Sequence, residues 1–161
     1  MIKFDVNTYI YRPLKQVFAF VATPENDFHW QYGTLQSIRV ADVEMGVGAL
    51  FRSVSNFMGR RMESIYQVTE YEPDKKYGFK SQSGPIVVYT LYAFEVMKGS
   101  TRIDVFARII PGALVKHNDV SAERRLRKQY RENLTLLKDL LEERPIERAT
   151  LAPIAKRHNF P

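Results

Sequence analysis

Asn133 stands where an apolar residue belongs. From about Asp119 to Arg144 the chain reads as one long amphipathic helix. Ala122, Leu126, Tyr130, Leu134, Leu137, Leu140 and Leu141 fall on one side of a 3.6-residue wheel, and Asn133 sits near the middle of that stripe. A side-chain amide carries donors and acceptors that must find protein, water or ligand partners once buried. Two readings stay open: a structural bond to a strand backbone or a buried water, or contact with a bound molecule. Tyr130, one turn earlier, can aim its hydroxyl into the same space.

The strands supply a facing wall. Alternation places Met62, Ser64, Tyr66 and Val68 on one face, as it does Thr90, Tyr92 and Phe94, and likewise Phe51, Ser53, Ser55 and Phe57. Aromatic walls with scattered hydroxyls suit a mostly apolar ligand with a few polar handles. Phe51, Ser53, Phe57, Ser64, Tyr66, Thr90, Tyr92, Leu126, Tyr130 and Asn133 are therefore candidate ligand contacts. Core packing explains the same aromatics equally simply. If Phe51, Phe57, Tyr66, Tyr92 and Tyr130 fill the space themselves, the chain is a partner-binding module without a ligand.

Other chemistries lack their residues. The chain has no cysteine, so disulfides, thiol nucleophiles and thiolate metal sites are excluded. His29, His117 and His158 show no H-x-x-x-H or H-E-x-x-H spacing, and no metal site is expected. No G-x-G-x-x-G or G-x-S-x-G occurs, so neither a dinucleotide cofactor nor a serine nucleophile elbow is indicated, and no cofactor is expected. Arg124, Arg125, Arg127, Lys128 and Arg131 cluster early in the last helix. They read as a solvated face, or, through Arg124, Arg127, Lys128 and Arg131, as a contact with an anionic membrane surface. Nucleic acid is disfavoured, because no helix-turn-helix, zinc finger or RNP-type motif is present.

The elements that must position these residues follow from the order of the chain. Its 161 residues, with a net charge of +6, make one soluble-type domain over residues 1–144 and a basic, flexible tail over residues 145–161. No apolar run reaches the length of a membrane span, and the first residues lack a signal-peptide block, so a cytoplasmic protein is expected. Ile2 to Tyr11 alternates as a half-buried strand. Pro13 opens a short helix carrying Leu14, Val17, Phe18 and Val21, and a second helical turn carries Phe28, His29 and Trp30. Strands then follow at Gln36–Val43, Ala49–Met58, Arg61–Tyr71, Tyr77–Ser81, Ile86–Val96 and Thr101–Ile109, divided by Gly- and Pro-bearing turns. Turns at this spacing favour consecutive antiparallel hairpins. The expected class is α+β, a strongly curved antiparallel sheet of about seven strands wrapped around the long C-terminal helix. A straight helix on a curved sheet leaves a gap, the natural ligand site.

This order resembles the helix-grip fold of the SRPBCC/START-like superfamily, in particular its polyketide cyclase/dehydrase-like branch. The short signals that match are Arg12-Pro13-Leu14-Lys15-Gln16-Val17-Phe18 at the strand-to-helix junction, Asn26–Trp30 as a segment placing a Trp beside the cavity, and Met45-Gly46-Val47-Gly48 as its turn. Val68-Thr69-Glu70-Tyr71-Glu72-Pro73, Phe94-Glu95 with Gly99-Ser100-Thr101-Arg102, and the closing Leu137–Glu142 match as well. The resemblance covers roughly residues 2–143. It implies a cavity for a lipid-like, polyketide or aromatic molecule, with Trp30 beside it and His29 near its entrance. There His29 or Tyr130 is a candidate general acid or base for cyclisation or dehydration. A non-catalytic carrier or sensor is the alternative that the resemblance equally implies.

Overall fold

The computed structural model describes residues 1–57, 59–110, 112 and 119–143. Seven strands form one antiparallel sheet: β1 (Ile2–Ile10), β2 (Thr34–Arg39), β3 (Leu50–Phe57), β4 (Arg60–Glu72), β5 (Lys76–Ser83), β6 (Val87–Met97) and β7 (Ser100–Ile110). Their spatial order is β1-β7-β6-β5-β4-β3-β2. Helices α1 (Leu14–Val21) and α2 (Asp27–Trp30) follow β1, and α3 (Asp119–Glu142) closes the described chain. The class is α+β in the helix-grip arrangement. Arg144 and the tail expected over residues 145–161 lie outside the described residues, as does His117.

The sheet is a meander except at one place. Each of β2 to β7 pairs with its neighbour in sequence, while β1 pairs with β7 in a continuous register from Ile2 opposite Ile109 to Ile10 opposite Thr101. Register shifts between Ile65 and Tyr66 and between Val68 and Glu70 interrupt the β4–β5 pairing, and another lies between Thr34 and Gln36 in β2. Such irregularities bend a sheet and sharpen its twist. Their side chains explain which face is concave: Ile2, Phe4, Val6 and Ile10 are buried on β1, as are Met62, Ser64 and Val68 on β4 and Thr90, Tyr92 and Phe94 on β6.

The apolar stripe of α3 covers that face. Ala122, Leu126, Leu134, Leu137, Leu140 and Leu141 are buried, and so is Asn133. The C-terminal end of the helix is fastened to the end of β1. Arg12 Nε donates to the Leu141 carbonyl at 2.6 Å, and Glu142 accepts from the Tyr11 backbone N–H at 2.8 Å. Two expectations shift. The second strand ends at Arg39 rather than Val43, because the chain bends away at residues 40–42. Pro13 is the cap rather than the first residue of α1; its carbonyl accepts from Gln16 and Val17.

Candidate functional site

A cavity of about 100 Å³ lies between the concave face and α3. Five elements build its inner wall: Trp30 from α2, Phe51 and Ser53 from β3, Tyr66 and Phe79 from β4 and β5, and Thr90 and Tyr92 from β6. Leu126, Tyr130 and Asn133 project from α3. The wall is an aromatic cluster. Phe51 stacks on Tyr66 at 5.3 Å, Phe79 meets both edge-on at 5.3 Å, and Trp30 meets Tyr92 at 6.0 Å. The aromatics therefore fill much of the space beneath the helix without closing it.

The polar side of the cavity is its rim. Gln31, Tyr32 and Thr34 connect α2 to β2, Ser55 and Asn56 end β3, and Gln129 lies on α3. Asn133, 8 % exposed, accepts the Tyr32 backbone N–H on Oδ1 at 2.8 Å. One turn earlier, Gln129 Nε2 donates to the Tyr32 carbonyl at 3.1 Å. Both backbone groups of Tyr32 are thus clasped by the helix, while its side chain is 73 % exposed. The Asn56 N–H donates to the Gly33 carbonyl at 2.7 Å and ties the same loop to β3. Gly33 has φ +86°, and a Cβ there would approach the Asn56 carbonyl oxygen to 2.7 Å. Only glycine fits that position.

Trp30, Phe51, Ser53, Tyr66, Thr90, Tyr92, Leu126, Tyr130 and Asn133 thus come together around one space. Ser64 is buried on the same face of β4 but lies beside Tyr66, outside the lining. The side chain of Phe57 lies outside the described ones. His29 is not on the cavity; its ring packs against Phe28 at 4.1 Å and Phe20 at 6.3 Å. His29 is therefore absent from the lining: α2 turns Trp30 into the cavity, while the half-buried His29 ring is directed between Phe20 and Phe28.

The residue that turns inward with Trp30 is Asp27, one helical turn back. It lines the cavity and is 5 % exposed. Burial raises its carboxyl well above the ordinary carboxylate range; a hydrogen bond from Ser37 opposes the shift and the negative Glu25 adds to it. The hydroxyls of Tyr66, Tyr92 and Tyr130 are also raised by burial. Tyr130 lies 3.3 Å from Thr90 Oγ1, a bond joining α3 to β6 across the cavity. Such phenols are hydrogen-bonding groups at neutral pH rather than proton acceptors. Among the described residues, no Lys, Arg or His lines the cavity.

Of the basic cluster on α3, Arg124, Arg125, Lys128 and Arg131 are exposed. Arg127 is turned back on the protein: it pairs with Glu123 at 3.2 Å and covers the Phe4 ring at 5.6 Å. Lys128 lies 3.8 Å from Glu132. Among the described residues, no group of three or more acidic or His side chains is placed to hold a metal, and no helix is long and apolar enough to cross a membrane.

Structures already solved show the same architecture. A START superfamily protein from Mycobacterium smegmatis superimposes with a TM-score of 0.76 at 11 % identity, over 89 % of this chain and 99 % of that one. Ara h 8.0201 gives 0.67 at 10 % identity, over 88 % and 98 % of the two chains. The di-domain ARO/CYC BexL of the BE-7585A biosynthetic pathway gives 0.69 at 15 % identity; the match covers 88 % of this chain and 47 % of that one. No family model and no curated protein matches the sequence. The chain has the SRPBCC/START-like helix-grip fold, and identities this low define the fold alone.

Proposed function

We propose that this protein binds a small, mostly apolar molecule in the cavity between the sheet and α3. The observation that carries the reading is the cavity itself: a space walled by aromatics, with hydroxyl and carboxyl groups inside it and a polar rim. Its size narrows the ligand. Sites for drug-sized molecules usually run from about 300 Å³ upward, whereas apolar voids near 150 Å³ accept a benzene ring. At about 100 Å³ the cavity is smaller than such a void, so a ring-sized compound is the upper bound and needs small shifts of the lining to enter. A lipid chain or linear polyketide needs the clasp on Tyr32 to open first.

A carrier or sensor is the simpler form of this function, because no nucleophile with an adjacent base lines the cavity. Catalysis of the cyclase/dehydrase type is the second reading. It is favoured by the Tyr130–Thr90 pair, two hydroxyls on facing walls of the cavity that can hydrogen-bond a carbonyl oxygen of a bound molecule. The polyketide cyclase named among the structural relatives supports this reading by analogy of fold alone. Arg124 and Arg131 leave a cationic surface beside the cavity for peripheral contact with an anionic membrane.

Native mass spectrometry of protein from its own host, followed by organic extraction, tests the binding function. A co-purifying apolar molecule, displaced from an Asn133→Leu variant more readily than from the native protein, is the expected result. An empty protein whose melting temperature responds to none of a panel of monocyclic, polycyclic and acyl compounds overturns the proposal.

A further inference from the structure

Among the described residues that line the cavity, Asp27 is the one carboxyl group and none is a cation. Its surroundings have been assembled from five elements. Ser37 on β2 donates to it, and Glu25 in the preceding turn adds negative charge. The phenols of Tyr66, Tyr77 and Tyr92 on β4, β5 and β6 lie within reach of its charge. Glu25 takes the nearby guanidinium for itself, with Arg39 Nε at 3.1 Å. An ionised carboxylate buried without a counter-charge costs several kcal/mol, and the group stays neutral instead. A neutral carboxylic acid differs from a carboxylate in one functional respect: it has a proton to donate.

That chemistry discriminates between ligands. An anion would bring a second negative group beside Asp27 with no Lys, Arg or His to receive it. A purely apolar ring would leave the acid proton to a protein hydroxyl such as Ser37 and gain nothing from it. We propose that Asp27, as an uncharged carboxylic acid, is the polar anchor of the cavity and donates a hydrogen bond to the carbonyl oxygen of a neutral, ring-sized ligand. This inference rests on the binding function proposed above and names its ligand class: aromatic or alicyclic ketones, aldehydes and related neutral carbonyl compounds. Asp27 is a specificity-determining residue on this reading.

The test uses four shape-matched probes, toluene, acetophenone, benzoate and benzylamine, titrated calorimetrically into the full chain at pH 7. Acetophenone should bind about threefold to tenfold more tightly than toluene, the increment of one hydrogen bond. Benzoate and benzylamine should bind more weakly than either. Within the Asp27→Leu variant acetophenone should bind no more tightly than toluene, and Asp27→Asn, whose amide still donates, should keep most of the advantage. An advantage that survives Asp27→Leu overturns the inference while leaving the cavity function standing. So does tightest binding by benzoate, or by benzylamine with release of a proton. Failure of both toluene and acetophenone to bind overturns the cavity function and this inference with it. A carboxyl-carbon NMR titration of the unmodified protein gives a check that needs no variant: an ionised Asp27 at pH 7 overturns the assignment.

Discussion

Replacing Asn133 by Leu should open the mouth of the cavity without unfolding the domain. The substitution keeps the branching at Cγ and suits the apolar stripe, but it removes the acceptor that holds the Tyr32 N–H at 2.8 Å. A partly buried donor left without its partner costs about 1–3 kcal/mol. The added apolar surface of Leu and the surviving Gln129 bond offset part of this, so a net loss of about 1–2 kcal/mol is expected. For a chain of this size that corresponds to a fall in melting temperature of about 2–8 °C. The local consequence is sharper than the global one. Amide hydrogen exchange at Tyr32 should accelerate by about 5- to 30-fold, the factor equivalent to 1–2 kcal/mol of easier opening, and ligand exchange should quicken with it. Amides in the middle of β6 and β7 should be slowed or quickened only by the global change. Gln129→Ala combined with Asn133→Leu should add a further acceleration, because both bonds end on the same residue. Unchanged exchange at Tyr32 in the single variant would refute the clasp as the element that keeps the cavity closed.

Three further expectations follow from the same features. The carboxyl of Asp27 is raised in the folded chain, so its contribution to stability is complete below about pH 4, the unfolded value, and is lost as pH rises toward the folded one. Asp27→Asn should accordingly melt close to the native protein at pH 3.5 and gain on it up to pH 7, by as much as about 1.4 kcal/mol per pH unit, as read from melting curves across that range. Gly33→Ala forces an L-residue to φ +86° and a Cβ against the Asn56 carbonyl, and should cost more than about 1 kcal/mol in chemical denaturation. Arg124→Gln with Arg131→Gln should change stability by less than about 0.5 kcal/mol, and it should abolish sedimentation with anionic vesicles if that surface meets membranes.

Periodicity made the frame legible. The alternation of Ile2, Phe4, Val6 and Ile10 and the stripe from Ala122 to Leu141 each declare a buried face, and turn residues fix where the hairpins lie. The same alternation brought Phe51, Ser53, Tyr66, Thr90 and Tyr92 to the cavity. What stayed hidden depended on short elements and on loops. In the Asn26–Trp30 segment attention goes to His29, whose chemistry is familiar, but a spacing of three on a helical turn places Asp27 beside an inward Trp30. That signal was present in the spacing. The role of Asn133 was only half readable: its position demanded a partner, yet a stripe on a helix contains nothing about Tyr32, 101 residues earlier. Cavity volume was beyond reach for a different reason, since it depends on how closely Phe51, Tyr66 and Phe79 interlock.

The pairing of β1 with β7 has a consequence for the order in which this molecule comes into being. Strands β2 to β7 can assemble by zipping successive hairpins, each closing a short loop. β1 precedes the other six strands in the chain, but Ile2 meets its partner only when Ile109 has been made. Until then the apolar face of Phe4, Val6 and Ile10 waits uncovered, and the entropy of closing a loop of about a hundred residues must be met before any contact rewards it. A slow, late docking of β1 is therefore built into the topology, and its apolar face is the surface that stays open longest while the sheet forms.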